Sequence, residues 1–405
     1  MGKRFGVGII GAGNILANHA IAYSSLPELA TLVAVADVDE GHLQSAKRHF
    51  KFKAAYKDYR DLLSNPDVAI VSICTPPVLH CQMILDSLKA NKHVLCEKPM
   101  ATSLRDADVV IRQADQHPEL CLSFVYQYRT DPFHNRTRNL IQTQQLGKLI
   151  MANVRVYARR TNAYYIPGSG RGTWSTEGGG VLMNQAIHQL DSLVSFLGEP
   201  LEVSASMDTH SRPIDAEDTL AGWVRFKNGA CATVECTVCA HLDSFVLEII
   251  GENAQVGIEG SPARHSGEWS LYSASSATRH ALIRSSLHDY PNPPQNPKRA
   301  QIVAEKILCK LSGRSWLPPR HWGHTPYVRE FLQSITATRS FCVSAREARR
   351  SLELAIALYI SGFTGESVKL PIAGDAPFYE GMAAIANFRS SSRSSLQTYV
   401  NQQLE

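Results

Sequence analysis

Gly11-Ala12-Gly13 stands directly after an apolar run, Arg4 to Ile10, and directly before a helical pattern that opens with Asn14 and Ile15. Small residues at such a turn let the backbone approach a pyrophosphate, and the helix N-terminus adds amide donors and a favourable dipole. The third glycine usual in this turn is absent, with Leu16 and Ala17 in its place. Asp37 follows Gly13 by 24 residues and ends a second β-branched run. A carboxylate there accepts from the ribose hydroxyls of an adenine dinucleotide and repels a 2′-phosphate, so NAD is expected and NADP disfavoured. The bland alternative is a tight turn with a surface aspartate.

Two further segments end apolar runs in the same manner. Cys74-Thr75-Pro76-Pro77 closes the run from Val68, so Thr75 and Pro76 are expected to line a cofactor crevice. Ordinary strand termination would look the same. His80 lies three residues on and counts with the cofactor-side residues, as a hydrogen bonder at a helix start rather than a catalyst. Glu97-Lys98-Pro99 also ends a strand-like run. A lysine there points to the nicotinamide end of a bound dinucleotide, where its ammonium can hold a substrate oxygen and stabilise developing negative charge. Glu97 can orient or partly neutralise it. Otherwise Lys98 is a surface lysine in a turn.

Gly178-Gly179-Gly180 precedes a helical pattern from Val181 to Gly198 in which Asn184, His188 and Asp191 recur at i, i+4 and i+7. One helix face would carry all three. Alcohol dehydrogenation needs a base for the hydroxyl proton, and histidine suits that role near neutral pH. A nearby Lys98 ammonium would favour its neutral form. A hydrogen-bonded helix histidine is the alternative. His188 and Asp191 are only two ligands, so no metal site is expected.

These residues need rigid elements behind them. Apolar runs at Arg4–Ile10, Thr31–Ala36, Val68–Cys74, His93–Cys96 and Leu120–Tyr126 alternate with helical patterns at about 14–26, 42–49, 80–90 and 104–116. Such alternation predicts an α/β, doubly wound, parallel Rossmann sheet over residues 1–126. From Met151 onward the runs alternate apolar and polar, with Lys227-Asn228-Gly229 as a turn, which predicts a second α/β domain over 127–383 with a large, open, mostly antiparallel sheet. Helices near 180–197, 327–336 and 345–362 are expected to pack on one face of it. Residues 261–324 contain Pro291-Asn292-Pro293-Pro294 and read as an irregular surface excursion, and 384–405 as a flexible tail.

Composition narrows the classes. The 405 residues are 44% hydrophobic and 19% charged, with 41 Lys+Arg against 37 Asp+Glu. A net charge of +4 without a basic stripe argues against a nucleic-acid partner. No apolar run is long enough for a membrane span, and no signal-peptide pattern opens the chain. Nine scattered cysteines fit reduced thiols and a cytoplasmic location better than a disulfide framework. Cys231, Cys236 and Cys239 read as small buried residues rather than metal ligands.

Taken together, Gly11-Ala12-Gly13, Asp37, Cys74 to His80, Glu97-Lys98-Pro99, Tyr128-Arg129 with Pro132, Gly147-Lys148-Leu149, the triglycine helix and Gly365 to Pro371 resemble the Gfo/Idh/MocA oxidoreductases. The resemblance implies an NAD-dependent oxidoreductase acting on a secondary carbon of a sugar, sugar derivative or cyclitol. It implies Lys98 and His188 as the catalytic pair and homodimers or homotetramers through the second sheet. It further implies a cis bond before Pro99, and a C-terminal lid at Phe378, Tyr379 and Gly381. Asn184 stands where many inositol dehydrogenases have aspartate, which weakens an inositol assignment. Asp191, Trp174, Tyr164 and Arg160 are expected on the substrate side, with Arg159 preceding them. Gln127 is expected at the cofactor, and Arg129 either at a ligand or in a structural ion pair. A redox-neutral glycoside-cleaving or epimerising enzyme and a non-catalytic dinucleotide sensor are the other readings.

Overall fold

Runs of β-branched residues that do not alternate become inner strands. β1 (Phe5–Ile10), β2 (Ala30–Ala36), β3 (Ala54–Tyr56), β4 (Ile70–Ile73), β5 (His93–Cys96) and β6 (Leu122–Phe124) form one sheet in the order β3-β2-β1-β4-β5-β6. Every pairing in it is parallel. The computed structural model describes residues 4–261, 266–275, 279–286, 324–336, 343–376 and 378–382.

The helices α1 (Leu16–Ser24), α2 (Glu40–Phe50), α3 (Tyr59–Leu63), α4 (His80–Lys89) and α5 (Leu104–Asp115) make the crossovers. Asp39, Asp58 and Ser103 cap α2, α3 and α5 by accepting from backbone N–H groups. β3 and α3 were not expected from the sequence. Three half-buried residues and a single helical turn carry too little periodicity to be read. Strand order reverses between β1 and β4, which opens a crevice at their carboxyl ends. There Gly11 has φ +96°, and a Cβ on it would lie 2.7 Å from the Cys74 carbonyl oxygen.

After α6 (Pro132–Gln142), a second sheet begins with β7 (Leu149–Arg159). It continues through β8 (Pro200–Asp208), β9 (Thr219–Phe226), β10 (Cys231–Thr237), β11 (Cys239–Gly251) and β12 (Ala254–Ser261). The sheet has nine strands, mostly antiparallel, with β7 and β10 the parallel pair. The alternation seen in the sequence is real: β10 exposes Cys231 and buries Cys236. The expectation that Cys231 is buried is therefore wrong, and Cys239 is half-buried.

Two more expectations need correction. The stretch from 261 is not irregular throughout. β13 (Ser266–Ser275) and β14 (Arg279–Ser286) extend the sheet edge, and their many serines gave the sequence no apolar alternation to read. The Pro291 segment and the 384–405 tail lie outside the described residues. The helix α8 (His324–Thr336) does not pack on the second sheet. It returns to the first sheet's layer and lies against α1, with Tyr327 buried there. By contrast α9 (Ala345–Thr364) spans both units, packing on β8, on α5 and on α7 (Ile187–Leu197). β15 (Val368–Lys369) then closes the β8 edge. Phe378 stacks on Phe363 and Tyr379 bonds Asp108 of α5, so this segment is packed on α9 and α5.

Gly180 is held by close approach. A Cβ there would lie 1.8 Å from the Glu217 carbonyl oxygen, whereas a Cβ on Gly13 meets nothing within 4 Å. Gly180→Ala should therefore lower the urea unfolding free energy by about 3 kcal/mol. Gly13→Ala should leave it within roughly 0.5 kcal/mol of wild type.

Candidate active site

The turn from β1 into α1 carries the first set of predicted residues. Gly13 and Asn14 are exposed, Ile15 is half-buried, and no side chain caps the α1 N-terminus. Asp37 Oδ2 accepts from the Ala12 N–H at 2.6 Å, so the carboxylate is pinned to the glycine turn. Thr75 and Pro76 edge the same crevice, half-buried and exposed.

His80 does not share that role. Its ring is fully buried and spans two carbonyls, Pro99 O at 2.8 Å from Nδ1 and Thr75 O at 2.9 Å from Nε2. The imidazole ties the β4 loop to the β5 loop and leaves neither nitrogen for a cofactor. A histidine at a helix start was read correctly as a local hydrogen bonder and wrongly as a cofactor contact.

The peptide bond before Pro99 is cis. Lys98 reaches across to the second unit, where its Nζ donates to the Asn184 carbonyl at 2.7 Å. Burial pushes the ammonium down, and the Glu97 and Glu177 carboxylates push it back. Asn184 lies in a π-helical turn, Leu182–Ala186, that leads into α7. Such i→i+5 turns widen a helix and concentrate at functional sites. His188 follows. Burial, then the Lys98 charge, hold its imidazole well below 6.5. The edge of Tyr126 and the tilted ring of Tyr128 wall it, at centroid distances of 6.1 and 5.5 Å. His188 Nδ1, Tyr126 Oη and Gln127 Oε1 are buried with no hydrogen-bond partner among the described residues.

Asp191 is not on the substrate side. It is buried and accepts from Arg129 Nε at 2.6 Å and Nη2 at 2.9 Å, with Ser351 adding a third hydrogen bond. Arg129 is thus the structural ion pair of the two options. Trp174 is not on the substrate side either. It is fully buried, donates Nε1–H to Asp215 O at 2.8 Å and packs edge-on against Tyr359. Arg160 and Tyr164 do remain at the site. The Arg160 guanidinium sits 5.4 Å from the Tyr164 ring centre and donates to Gln185 Oε1 at 2.7 Å. Gln185 donates in turn to Asn184 Oδ1.

Glu177, Glu217 and the two histidine partners of Glu97 escaped sequence reasoning. Glu177, just before the triglycine, accepts from Asn184 Nδ2 at 2.5 Å and from the Gly172 N–H at 2.7 Å. Its place beside a glycine turn was the available signal. Glu217 accepts from the Gly180 and Leu182 N–H groups and from Tyr359 Oη, anchoring the start of the His188 helix. Glu97 accepts at Oε1 from His19 Nε2 at 3.0 Å and from His324 Nε2 at 3.1 Å. Those histidines lie 78 and 227 residues away, so spacing could not reveal them.

Comparison with known proteins fits this geometry. Residues 5–124 match the model of the oxidoreductase family with an NAD-binding Rossmann fold, and 134–256 match the GFO/IDH/MocA C-terminal domain. The chain belongs to the Gfo/Idh/MocA family. It is an NAD-binding oxidoreductase of that family. It is similar to the myo-inositol 2-dehydrogenase of Thermotoga maritima, 27% identical over 64% of this chain and 73% of that one. It is likewise similar to the levoglucosan dehydrogenase of Pseudarthrobacter phenanthrenivorans, 25% identical over 59% and 69%. Among solved structures, the WlbA dehydrogenase of Chromobacterium violaceum, in complex with NADH and UDP-GlcNAcA, superposes with a TM-score of 0.74. It is 27% identical, over 91% of this chain and 97% of that one. No described helix is long and apolar enough to cross a membrane.

For this family member the buried Glu217 makes stability pH-dependent. Burial pushes its carboxyl up to about 7, against the pull of its hydrogen bonds. The folded state then binds the proton more tightly than the unfolded chain, whose value is near 4.5. Stability should fall as pH rises from about 4.5 to about 7, by up to roughly 1.4 kcal/mol per pH unit. Urea unfolding of wild type and Glu217→Gln across that window checks this; parallel slopes would refute it.

Proposed function

We propose that this protein transfers a hydride between NAD and a secondary alcohol or ketone carbon of a sugar, sugar derivative or cyclitol, with Lys98 and His188 as its acid–base pair. The observation that carries the proposal is one cleft joining two opposed groups. The Lys98 ammonium is fixed on the Asn184 carbonyl, and four residues later stands a half-buried imidazole that burial and the Lys98 charge keep neutral. The names of the relatives support the substrate class, since they include inositol and levoglucosan dehydrogenases.

The residues present fit the dinucleotide. The Gly11–Gly13 turn leaves open space where a Cβ on Gly13 would stand, the α1 amides are uncapped, and Asp37 sits beside them for the ribose. Gln127 Oε1, buried without a partner, is the acceptor we assign to the carboxamide end. NAD, when bound, supplies the hydride acceptor or donor.

The chain's own groups handle the proton. A substrate hydroxyl in the cleft donates to the accessible edge of the half-buried His188 imidazole. As the alcohol is oxidised, His188 takes that proton. Lys98 holds the same oxygen and stabilises its growing negative charge, which is worth most in a site with little water. The Lys98 charge keeps His188 in its basic form before reaction and helps expel the proton afterwards. Tyr126 and Tyr128 exclude water from the imidazole. Asn184, oriented by Glu177 and Gln185, presents its remaining amide N–H to a neighbouring hydroxyl.

Absorbance at 340 nm with NAD and a panel of sugars, sugar nucleotides, sugar acids and cyclitols tests this reading. His188→Ala and Lys98→Met should each lower kcat at least about 100-fold, with NAD affinity within about threefold of wild type. Unchanged turnover in either variant would remove the assignment. The acid limb of kcat/KM should fall below pH 6.5, because both burial and Lys98 depress His188. Asp37→Ser should raise the NADP/NAD preference about tenfold or more by removing the repulsion of the 2′-phosphate.

A further inference from the structure

We propose that His324 and His19 are positioning residues for Lys98 that act through the Glu97 carboxylate. The idea rests on the oxidoreductase reading above, in which Lys98 holds the reacting oxygen.

Glu97 is the residue immediately before Lys98, and its carboxylate is buried. Oε2 accepts from the Lys98 backbone N–H at 3.2 Å. Oε1 takes both imidazoles, His19 Nε2 at 3.0 Å and His324 Nε2 at 3.1 Å. One oxygen therefore fixes the lysine's backbone and the other fixes the carboxylate. Burial alone would raise Glu97, but the two histidine hydrogen bonds outweigh it and hold the group ionised. The ionised carboxylate is in turn what opposes the loss of the Lys98 proton caused by burial.

Each donor is itself anchored. His19 Nδ1 lies 3.3 Å from Ser72 Oγ, and Ser72 is bonded to Tyr23 Oη at 2.8 Å. Burial lowers His19, so its ring is neutral and carries one proton. The ionised Glu97 carboxylate can only accept, so that proton sits on Nε2, and Nδ1 accepts from Ser72. His324 opens α8, and Tyr327 one turn later donates to the Phe124 carbonyl at the end of β6. Because α8 packs on α1, the two imidazoles meet edge to face at 5.2 Å. Residues from the last third of the chain thus reach back to the strand end that carries the lysine.

His19, Glu97 and His324 also have the composition of a three-ligand metal site, their donor atoms lying within 4.8 Å of one another. The hydrogen-bond pattern favours positioning instead. A metal ion would need both Nε2 lone pairs, and so would displace the two hydrogen bonds that converge on one Glu97 oxygen.

The experiment compares His324→Gln, His324→Asn, His324→Leu and Lys98→Met in the holoenzyme with the best substrate of the panel. Glutamine can place an N–H near the position of Nε2, asparagine is too short, and leucine has no donor. We expect kcat to fall about tenfold or more in the Leu and Asn variants, with KM, NAD affinity and Tm close to wild type. We expect His324→Gln to recover most of the loss. Wild-type kcat in His324→Leu would overturn the proposal. So would equal losses in all three His324 variants that track a lowered Tm, since that is a structural role. Stoichiometric zinc or manganese in the purified protein, with activity lost to a chelator, would assign the cluster to an ion instead. Wild-type turnover in Lys98→Met would instead defeat the functional reading itself.

Discussion

The hydrogen bond from Lys98 Nζ to the Asn184 carbonyl joins the two halves of this protein at the site proposed for the chemistry. One end belongs to the carboxyl edge of a parallel strand, the other to a helix that packs on an antiparallel sheet. Neither half holds a complete site. An ammonium at a strand end needs a partner across the cleft, and the imidazole on the helix, already disfavoured as a cation by burial, is held neutral further by that ammonium. Much of the remaining architecture serves to hold these two chain positions in register.

Three buried or half-buried glutamates do most of that holding, each differently. Glu97 is kept ionised by imidazole donors and supplies countercharge to the lysine. Glu177 orients the Asn184 amide and adds a second negative charge near the lysine. Glu217 satisfies the free N–H groups at the start of the His188 helix, where the triglycine passes too close to neighbouring backbone for any side chain. Unpaired buried carboxylates are costly. Here each is met by several donors, which converts a liability into fixed geometry. Arg129 and Asp191 play the matching part beneath the helix, a buried pair whose disruption typically costs about 3–5 kcal/mol.

The sequence carried the parts of this design that depend on local pattern. Uniform β-branched runs gave the parallel sheet, alternation gave the second sheet, and Gly11 to Gly13, Asp37 and Lys98 were placed by their position at strand ends. It failed where the determinant was geometry between distant segments. Asp191 and Trp174 sit at plausible spacings but are buried, because Asp191 finds its partner in Arg129 and Trp174 in Asp215. His80 looked available and is consumed by two carbonyls. The return of α8 to α1 leaves no periodic trace at all, since an amphipathic helix does not announce which apolar surface it will cover.

That return has a consequence for how the fold divides. Strand pairing separates the chain cleanly into two sheets, yet α8 and α9 come from the end of the sequence and touch the first unit. α9 bridges β8 and α5, and α8 delivers His324 to Glu97. A cleft between two sheets linked by one strand-to-strand passage would be free to hinge, and the Lys98–Asn184 contact would then come and go. Two helices crossing back, α8 onto α1 and α9 from β8 to α5, add to that passage. The C-terminal segment therefore acts as a brace on the cleft, and the site is finished only when the last helices have docked.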